Sequence, residues 1–202
     1  MVHFAAEGYD ELYVVRLRRN EDKRIDVIAL AADSRADVDA LHEKVAASGC
    51  RIIFAPKELA TLGCGYGVRF FSPDGLPFEI SSDVARQTPS ELARWEGVPA
   101  KISRIVLHSP DHQKLVQWLC DVLGFMVSDW LGDFMCFLRC NSAHRRIVIL
   151  PGRPASIMLP YDMLSIADMM AGINRPPCPM ASPMAVLTTF PAMRSAACPL
   201  PA

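Results

Sequence analysis

The chain lacks an excess of either charge: 21 Lys and Arg stand against 22 Asp and Glu in 202 residues. That balance leaves no electrostatic footprint for nucleic acid and no charge run for a membrane surface. No apolar run approaches the roughly 18 residues that a transmembrane helix needs. The opening MVHFAAEGYDE lacks the pattern of a signal peptide. The seven cysteines include no Cys-x-x-Cys pair, and Cys136 and Cys140 lie four apart in strand-like sequence. This argues against a disulfide framework and for small apolar thiols in a reduced, cytoplasmic protein. Half of the residues are hydrophobic, enough for one or two small domains with a real core.

What is present is a repeat. Between Lys101 and Leu150 the sequence predicts strand, helix and three strands. Ile102, Ile105 and Val106 mark the first strand. Ser109 is the expected N-cap, Pro110 suits the first helical position, and Asp111 suits the positive end of the helix dipole. Leu115, Val116, Leu119 and Leu123 share one helical face, and Gly124 closes the helix. Phe125–Trp130, Phe134–Leu138 and Arg145–Leu150 follow as strands. The same order occurs earlier. Ile25–Ala31 is a strand, and Ser34 caps a helix with Val38, Leu41 and Val45 on one face and Gly49 at its end. Arg51–Phe54, Val68–Phe71 and Pro77–Ser81 complete that unit, the last two joined by the turn Ser72-Pro73-Asp74-Gly75. Ser165-Ile166-Ala167-Asp168 repeats Ser34-Arg35-Ala36-Asp37, a cap with a carboxylate three residues on, and belongs to a third, partial copy.

The predicted organisation is an N-terminal module at 1–85 that lacks a first strand and helix, with Leu12–Leu17 strand-like and Arg18–Arg24 an exposed turn. A linker at 86–100 carries a short helix around Glu91–Trp95. A second module at 101–175 lacks its last strands, and a proline-rich tail occupies 176–202. Proline removes backbone donors and breaks helices and central strands. The tail is therefore expected as coil, with Ala185–Phe190 the only stretch able to pair as a strand. A sheet half without its strands exposes edges and apolar surface.

Three stretches carry a family resemblance: GYGVRFFSPDGLPFEIS (Gly65–Ser81), KISRIVLHSPDHQKLVQWLCDVLGFMVSDW and FMCFLRCNSAHRR. From about Phe4 to Arg175 the chain resembles the vicinal-oxygen-chelate superfamily. Within it, the chain is most similar to the extradiol ring-cleavage dioxygenases of the catechol 2,3-dioxygenase and 2,3-dihydroxybiphenyl 1,2-dioxygenase type. The resemblance implies an α+β fold of paired βαβββ modules, the glyoxalase/bleomycin resistance/dioxygenase fold, each module curling an open sheet around a cavity. It implies Fe(II) in the C-terminal module and insertion of both atoms of O₂ into a catechol beside a hydroxyl. A small aromatic partner and a homo-oligomer are implied with it.

Such a site needs two neutral imidazoles and a carboxylate on one face of the metal, with a histidine nearby as acid–base group. In this resemblance the first ligand histidine falls on Arg104, whose guanidinium has no lone pair to offer. The second falls, in SIMLPYDM, on Met158, a soft thioether. The glutamate ligand belongs to a last strand that is not in this sequence. The His-His pair after Cys-Asn reads His144-Arg145, which puts Arg145 at the acid–base position. The expectation is that this chain binds no iron and cleaves no catechol as written. The alternative is a metal-free module for a small aromatic or anionic ligand, with Arg104 and Arg145 pairing to it.

The remaining candidates are few. His144, in a turn, is the candidate catalytic contact. His108 shares a strand face with positions 104 and 106, and Tyr161 and Asp162 follow the lost second ligand. These three are the candidate substrate-binding residues. Glu79 occupies, in the first module, the hairpin position of the glutamate ligand and is read as structural. His112 is read as a solvated helix start, and His3 and His42 belong to no constellation. Trp95, Trp118 and Trp130 are read as core or interface residues.

Overall fold

A computed structural model describes the chain except for residues 7, 22–23, 92–96, 98, 143–144, 154–156, 175–183 and 191–202; for 184–190 it describes the backbone. Both repeats fold as the sequence predicts. The first comprises β3 (Ile25–Ala31), α1 (Arg35–Ala47), β4 (Ile52–Glu58), β5 (Tyr66–Phe71) and β6 (Pro77–Ser82), after β1 (Val2–Phe4) and β2 (Val15–Arg19). The second follows the short β7 (Lys101–Ile102). It comprises β8 (Ile105–Ser109), α2 (His112–Asp121), β9 (Met126–Leu131), β10 (Met135–Arg139) and β11 (Ile147–Pro151). The strand orders match: β3-β6-β5-β4 and β8-β11-β10-β9. In each, the first and last strands run parallel and the other neighbours antiparallel. A helix must therefore cross over between them, as a parallel pair requires.

The helix ends show how local chemistry sets the elements. Ser34 caps α1, its hydroxyl accepting from the Asp37 amide at 3.2 Å. Gly49 follows α1 at φ +75°, a conformation that glycine adopts without strain. For α2 the expected cap is corrected. Asp111 caps it, accepting from the Lys114 amide at 3.2 Å. Ser109 ends β8 and its hydroxyl accepts instead from the Asp111 amide. Pro110 thus lies before the cap, where its fixed φ turns the chain out of the strand.

The period of two gives each sheet a helix side and an open side. On the helix side lie Ile28, Leu30, Val68, Phe70, Phe78 and Ile80 in the first sheet, and Ile105, Leu107, Cys136, Leu138, Ile147 and Ile149 in the second. All belong to one buried cluster that spans both modules. Trp118 of α2 joins them, with its ring 6.1 Å from Phe70 and 6.2 Å from Phe78. Each such side chain contributes about 1.5–3 kcal/mol by leaving water. Trp118 is thus a core residue, as its sequence context suggests, whereas Trp130 is partly exposed on the edge strand β9.

The tail supplies one strand. The backbone of β14 (Met184–Phe190) lies between β2 and β3, antiparallel to the former and parallel to the latter, and completes a seven-stranded sheet. The strand falls on the stretch of the tail that the sequence leaves able to pair, Ala185–Phe190, with Met184 added. Its seven residues hold no proline and are β-prone, and they pair two strand edges that would otherwise carry unmet backbone groups. The third partial copy is also seen. β12 (Ile157–Met158) pairs with β8, β13 (Tyr161–Asp162) pairs with β7, and Ser165 caps α3 (Ile166–Ile173) through the Asp168 amide at 3.1 Å. Met1–Asp10, without pattern in the sequence, includes β1, which pairs with β2. The predicted helix around Glu91–Trp95, Trp95 itself and His144 lie outside the described residues, Glu91 excepted.

Candidate functional site

The open side of the second sheet is where the sequence-derived candidates meet. β8 gives Val106 and His108, β11 gives Val148 and Leu150, and β10 gives Met135 and Phe137. Val106, Val148 and Leu150 form a small buried cluster against which Met135 and Phe137 pack. β12 lies antiparallel on the edge of β8 with Met158 opposite Val106, so Met158 stands on the same side, 53% exposed. Arg104 precedes β8, half-buried, and the Ser103 amide donates to the Pro160 carbonyl at 2.9 Å, which extends the junction past β12. Arg104 and Met158, far apart in sequence, are thus held along one strand junction.

The other candidates are more scattered. His108 is half-buried, and its ring lies against Gly152, where a Cβ would stand 2.9 Å from His108 Cδ2. Arg145 lies with its guanidinium 4.5 Å from the centre of the Phe137 ring, a cation–π arrangement. Asp162 is half-exposed and pairs with Lys101 at 3.6 Å, and Tyr161 beside it is exposed. β13 carries both residues in a separate two-stranded ladder. His112 is not simply solvated: its Nε2 lies 2.8 Å from the Asp133 carbonyl and its ring meets Trp130 edge-on. Burial pushes the Cys136 thiol up to about 12 and Cys140 to about 11, so neither supplies a thiolate near neutral pH.

On the open side of the first sheet, Glu79 is 5% exposed and accepts two hydrogen bonds from Arg69 across the β5–β6 ladder, from Nε at 3.1 Å and from Nη2 at 2.5 Å. This is the cross-strand pairing that makes Glu79 structural. Beside it Tyr13, Glu11, Thr61 and Ser81 line a cavity of about 290 Å³. Burial raises the Tyr13 phenol above its ordinary range, and burial likewise raises the Glu11 carboxyl, opposed by its own backbone hydrogen bond. Sequence reasoning missed Phe137, Gly152 and the Arg69 partner. A strand period of two would have put Phe137 and Arg69 on the open sides, but their partners depend on register.

Among the described residues, no three His, Cys, Asp or Glu side chains converge. Among the described residues, the open side of the second sheet carries the imidazole of His108, the thioethers of Met135 and Met158, the guanidiniums of Arg104 and Arg145, and Asp129 opposite Phe137. Guanidiniums have no donor pair, and a thioether is a poor ligand for Fe(II) or Mn(II), which favour oxygen and nitrogen. The described residues do not fit such a metal.

No family model matches the chain. A Mn(II)-bound glyoxalase from Novosphingobium aromaticivorans is 66% identical in sequence, with a TM-score of 0.80 over 84% of this chain and 56% of that one. A manganese-dependent 2,3-dihydroxybiphenyl 1,2-dioxygenase from Geobacillus genomosp. 3 is 25% identical over 142 residues, 64% of this chain and 44% of its own length. The chain is similar to glyoxalase-fold proteins and extradiol dioxygenases, in keeping with the vicinal-oxygen-chelate superfamily. Metapyrocatechase 2 from Cupriavidus necator matches to the same degree, 25% over 146 residues, 63% of this chain and 44% of the relative. BphC, a halotolerant catechol dioxygenase, shares the fold at 20% identity, with a TM-score of 0.60 over 84% of this chain and 70% of that one. Extradiol dioxygenases are thus among the superfamily members to which this chain is related. The chain spans about half the length of the curated relatives it matches and of the glyoxalase.

Proposed function

We propose that this chain derives from the extradiol dioxygenase lineage and that its second module, with the residues it now carries, neither holds Fe(II) or Mn(II) nor cleaves a catechol. The observation that carries the reading is the donor set along the β8–β12 junction. Arg104 brings a permanent positive charge to a place where the dioxygenase mechanism needs a cation bound. Met158 and His108 leave a hard divalent ion without three hard donors on one face.

The same side suits ligand recognition, and the Arg145–Phe137 stack favours this second reading. A guanidinium held over an aromatic ring beside an apolar floor of Val106, Val148 and Leu150 is a receptor for a small aromatic anion. The carboxylate or phenolate would pair with Arg145 and Arg104, and His108 would be available to its polar edge. Benzoate and catechol, titrated into metal-free protein, test the reading. Saturable binding weakened at least tenfold by Arg145→Gln is expected. Stoichiometric uptake of Fe(II) or Mn(II), with an oxygen-dependent ring-fission product from catechol, overturns it.

A further inference from the structure

Four arginines surround a second cavity, of about 430 Å³, on the first module: Arg16 and Arg18 of β2, Arg69 of β5, and Arg24 just before β3. Arg16 and Arg18 are two apart on one strand and so share a side of the sheet. Arg18 and Arg24 both pair with Asp26, at 2.6 and 3.0 Å, and Arg69 pairs with Glu79. Four guanidiniums therefore face two carboxylates. Arg16 is 8% exposed, yet among the described residues its Nε–H has no hydrogen-bond partner, and the buried Nε of Arg18 is likewise without one. An unsatisfied buried donor on a charged group is costly, and native proteins keep few of them. Among the described residues, Asp26, Met1 and Gly75 also line it, with the apolar Ile25, Ile53, Phe71 and Pro77.

We propose that this cavity is a binding site for an organic dianion, a dicarboxylate with an apolar body. Its two carboxylates offset the surplus of two positive charges. One of them pairs with the guanidiniums of Arg16 and Arg18, a charge and shape match that carboxylates make well. Its hydrocarbon body lies on Ile25, Ile53 and Phe71. The volume is in the range of small-molecule sites, larger than an inorganic oxyanion needs. The site lies on the other module from Arg104 and Arg145 and stands independently of the reading given for them.

Phthalate is the probe, with benzoate and inorganic phosphate as comparisons, titrated calorimetrically into the full chain at low salt. The titration is made in the Arg145→Gln variant, so that the receptor proposed on the second module does not contribute, and phthalate is expected to bind at least tenfold more tightly than benzoate or phosphate. Adding Arg18→Gln, at a side chain that is 44% exposed and so tolerant of change, should weaken phthalate binding at least tenfold. In NMR spectra the Arg16 Nε–Hε signal should move on addition of phthalate, a readout that needs no variant. No phthalate binding in the Arg145→Gln variant, binding indifferent to Arg18→Gln, or an unmoved Arg16 signal would each overturn the proposal. Phosphate binding as tightly as phthalate would overturn the assignment to a dicarboxylate.

Discussion

Ile28, Leu30, Phe78 and Ile80 of the first module do the same work as Ile105, Leu107, Ile147 and Ile149 of the second. They line the parallel strand pair on its helix side and enter one shared core. Turn to the open sides and the likeness ends. The first module carries a buried Glu79–Arg69 pair on its open side, while the second leaves Met158 exposed and sets Arg145 over Phe137. The comparison teaches that the scaffold is specified chiefly by the helix-side residues. The open side is free to change chemistry, because few of its residues are needed to hold the sheet together.

That contrast can be broken or sharpened by mutation. The largest effect is expected on the helix side. Phe78→Ala removes a fully buried ring that Trp118 packs against, and should cost about 3–5 kcal/mol in urea unfolding. A loss below about 1 kcal/mol would mean that the shared core is not what holds the modules. Next comes the one open-side pair that is structural. Glu79→Ala strands the Arg69 charge and should cost about 3 kcal/mol, whereas Glu79→Leu with Arg69→Met should recover most of it, since an apolar pair of similar volume replaces a buried ion pair well. Equal loss in the single and double variants would contradict this.

The helix caps offer a matched comparison of smaller size. Ser34→Ala and Ser165→Ala delete the same hydroxyl-to-amide bond, worth about 1 kcal/mol. α1 buries Val38 and Val45, so loss of the Ser34 cap should lower global stability. α3 exposes Ile166, Met170 and Ile173, so loss of the Ser165 cap should appear as faster amide exchange within α3 and a smaller change in the melt. The smallest effect concerns Glu11. Burial raises its carboxyl above the ordinary 4.5, so the folded state holds the proton more tightly than the unfolded one. Wild type therefore loses stability as pH rises from the ordinary value through the raised one. Glu11→Gln should melt higher than wild type at pH 7, and the gap should close as pH falls below 4.5; a gap independent of pH would contradict it.

Much of this architecture was legible in the sequence because it is local. The repeat, the Ser34 and Ser165 caps and the apolar face of α2 each depend on residues within a few positions of one another. What misled or stayed open was context of two kinds. Ser109 and Asp111 are both good caps, and only the length of β8 decides between them. Met184–Phe190 sits in a proline-rich tail whose composition predicts coil, yet the open edges of β2 and β3, more than 150 residues away in sequence, give it partners. The candidate site was legible by resemblance in its positions, Arg104, Met158 and Arg145. Its floor was not, because Phe137 meets Arg145 only through the β10–β11 hairpin. Of the arginines around the second cavity, Arg18 and Arg24 lie in a charged run that reads as an exposed turn, although β2 extends to Arg19, while Arg16 and Arg69 lie in strand-like stretches and join them only through sheet order.

The account turns on whether Arg104 and Met158 close the second module to metal. The most direct measurement is the metal content of the protein after anaerobic loading with Fe(II) and, separately, Mn(II) and removal of unbound ion, followed by addition of oxygen and a panel of catechols. The account predicts metal far below one ion per chain and no ring-fission product. One ion per chain, with turnover that tracks the metal content, would contradict it and make His108, Asp162 and His144 the residues to examine first.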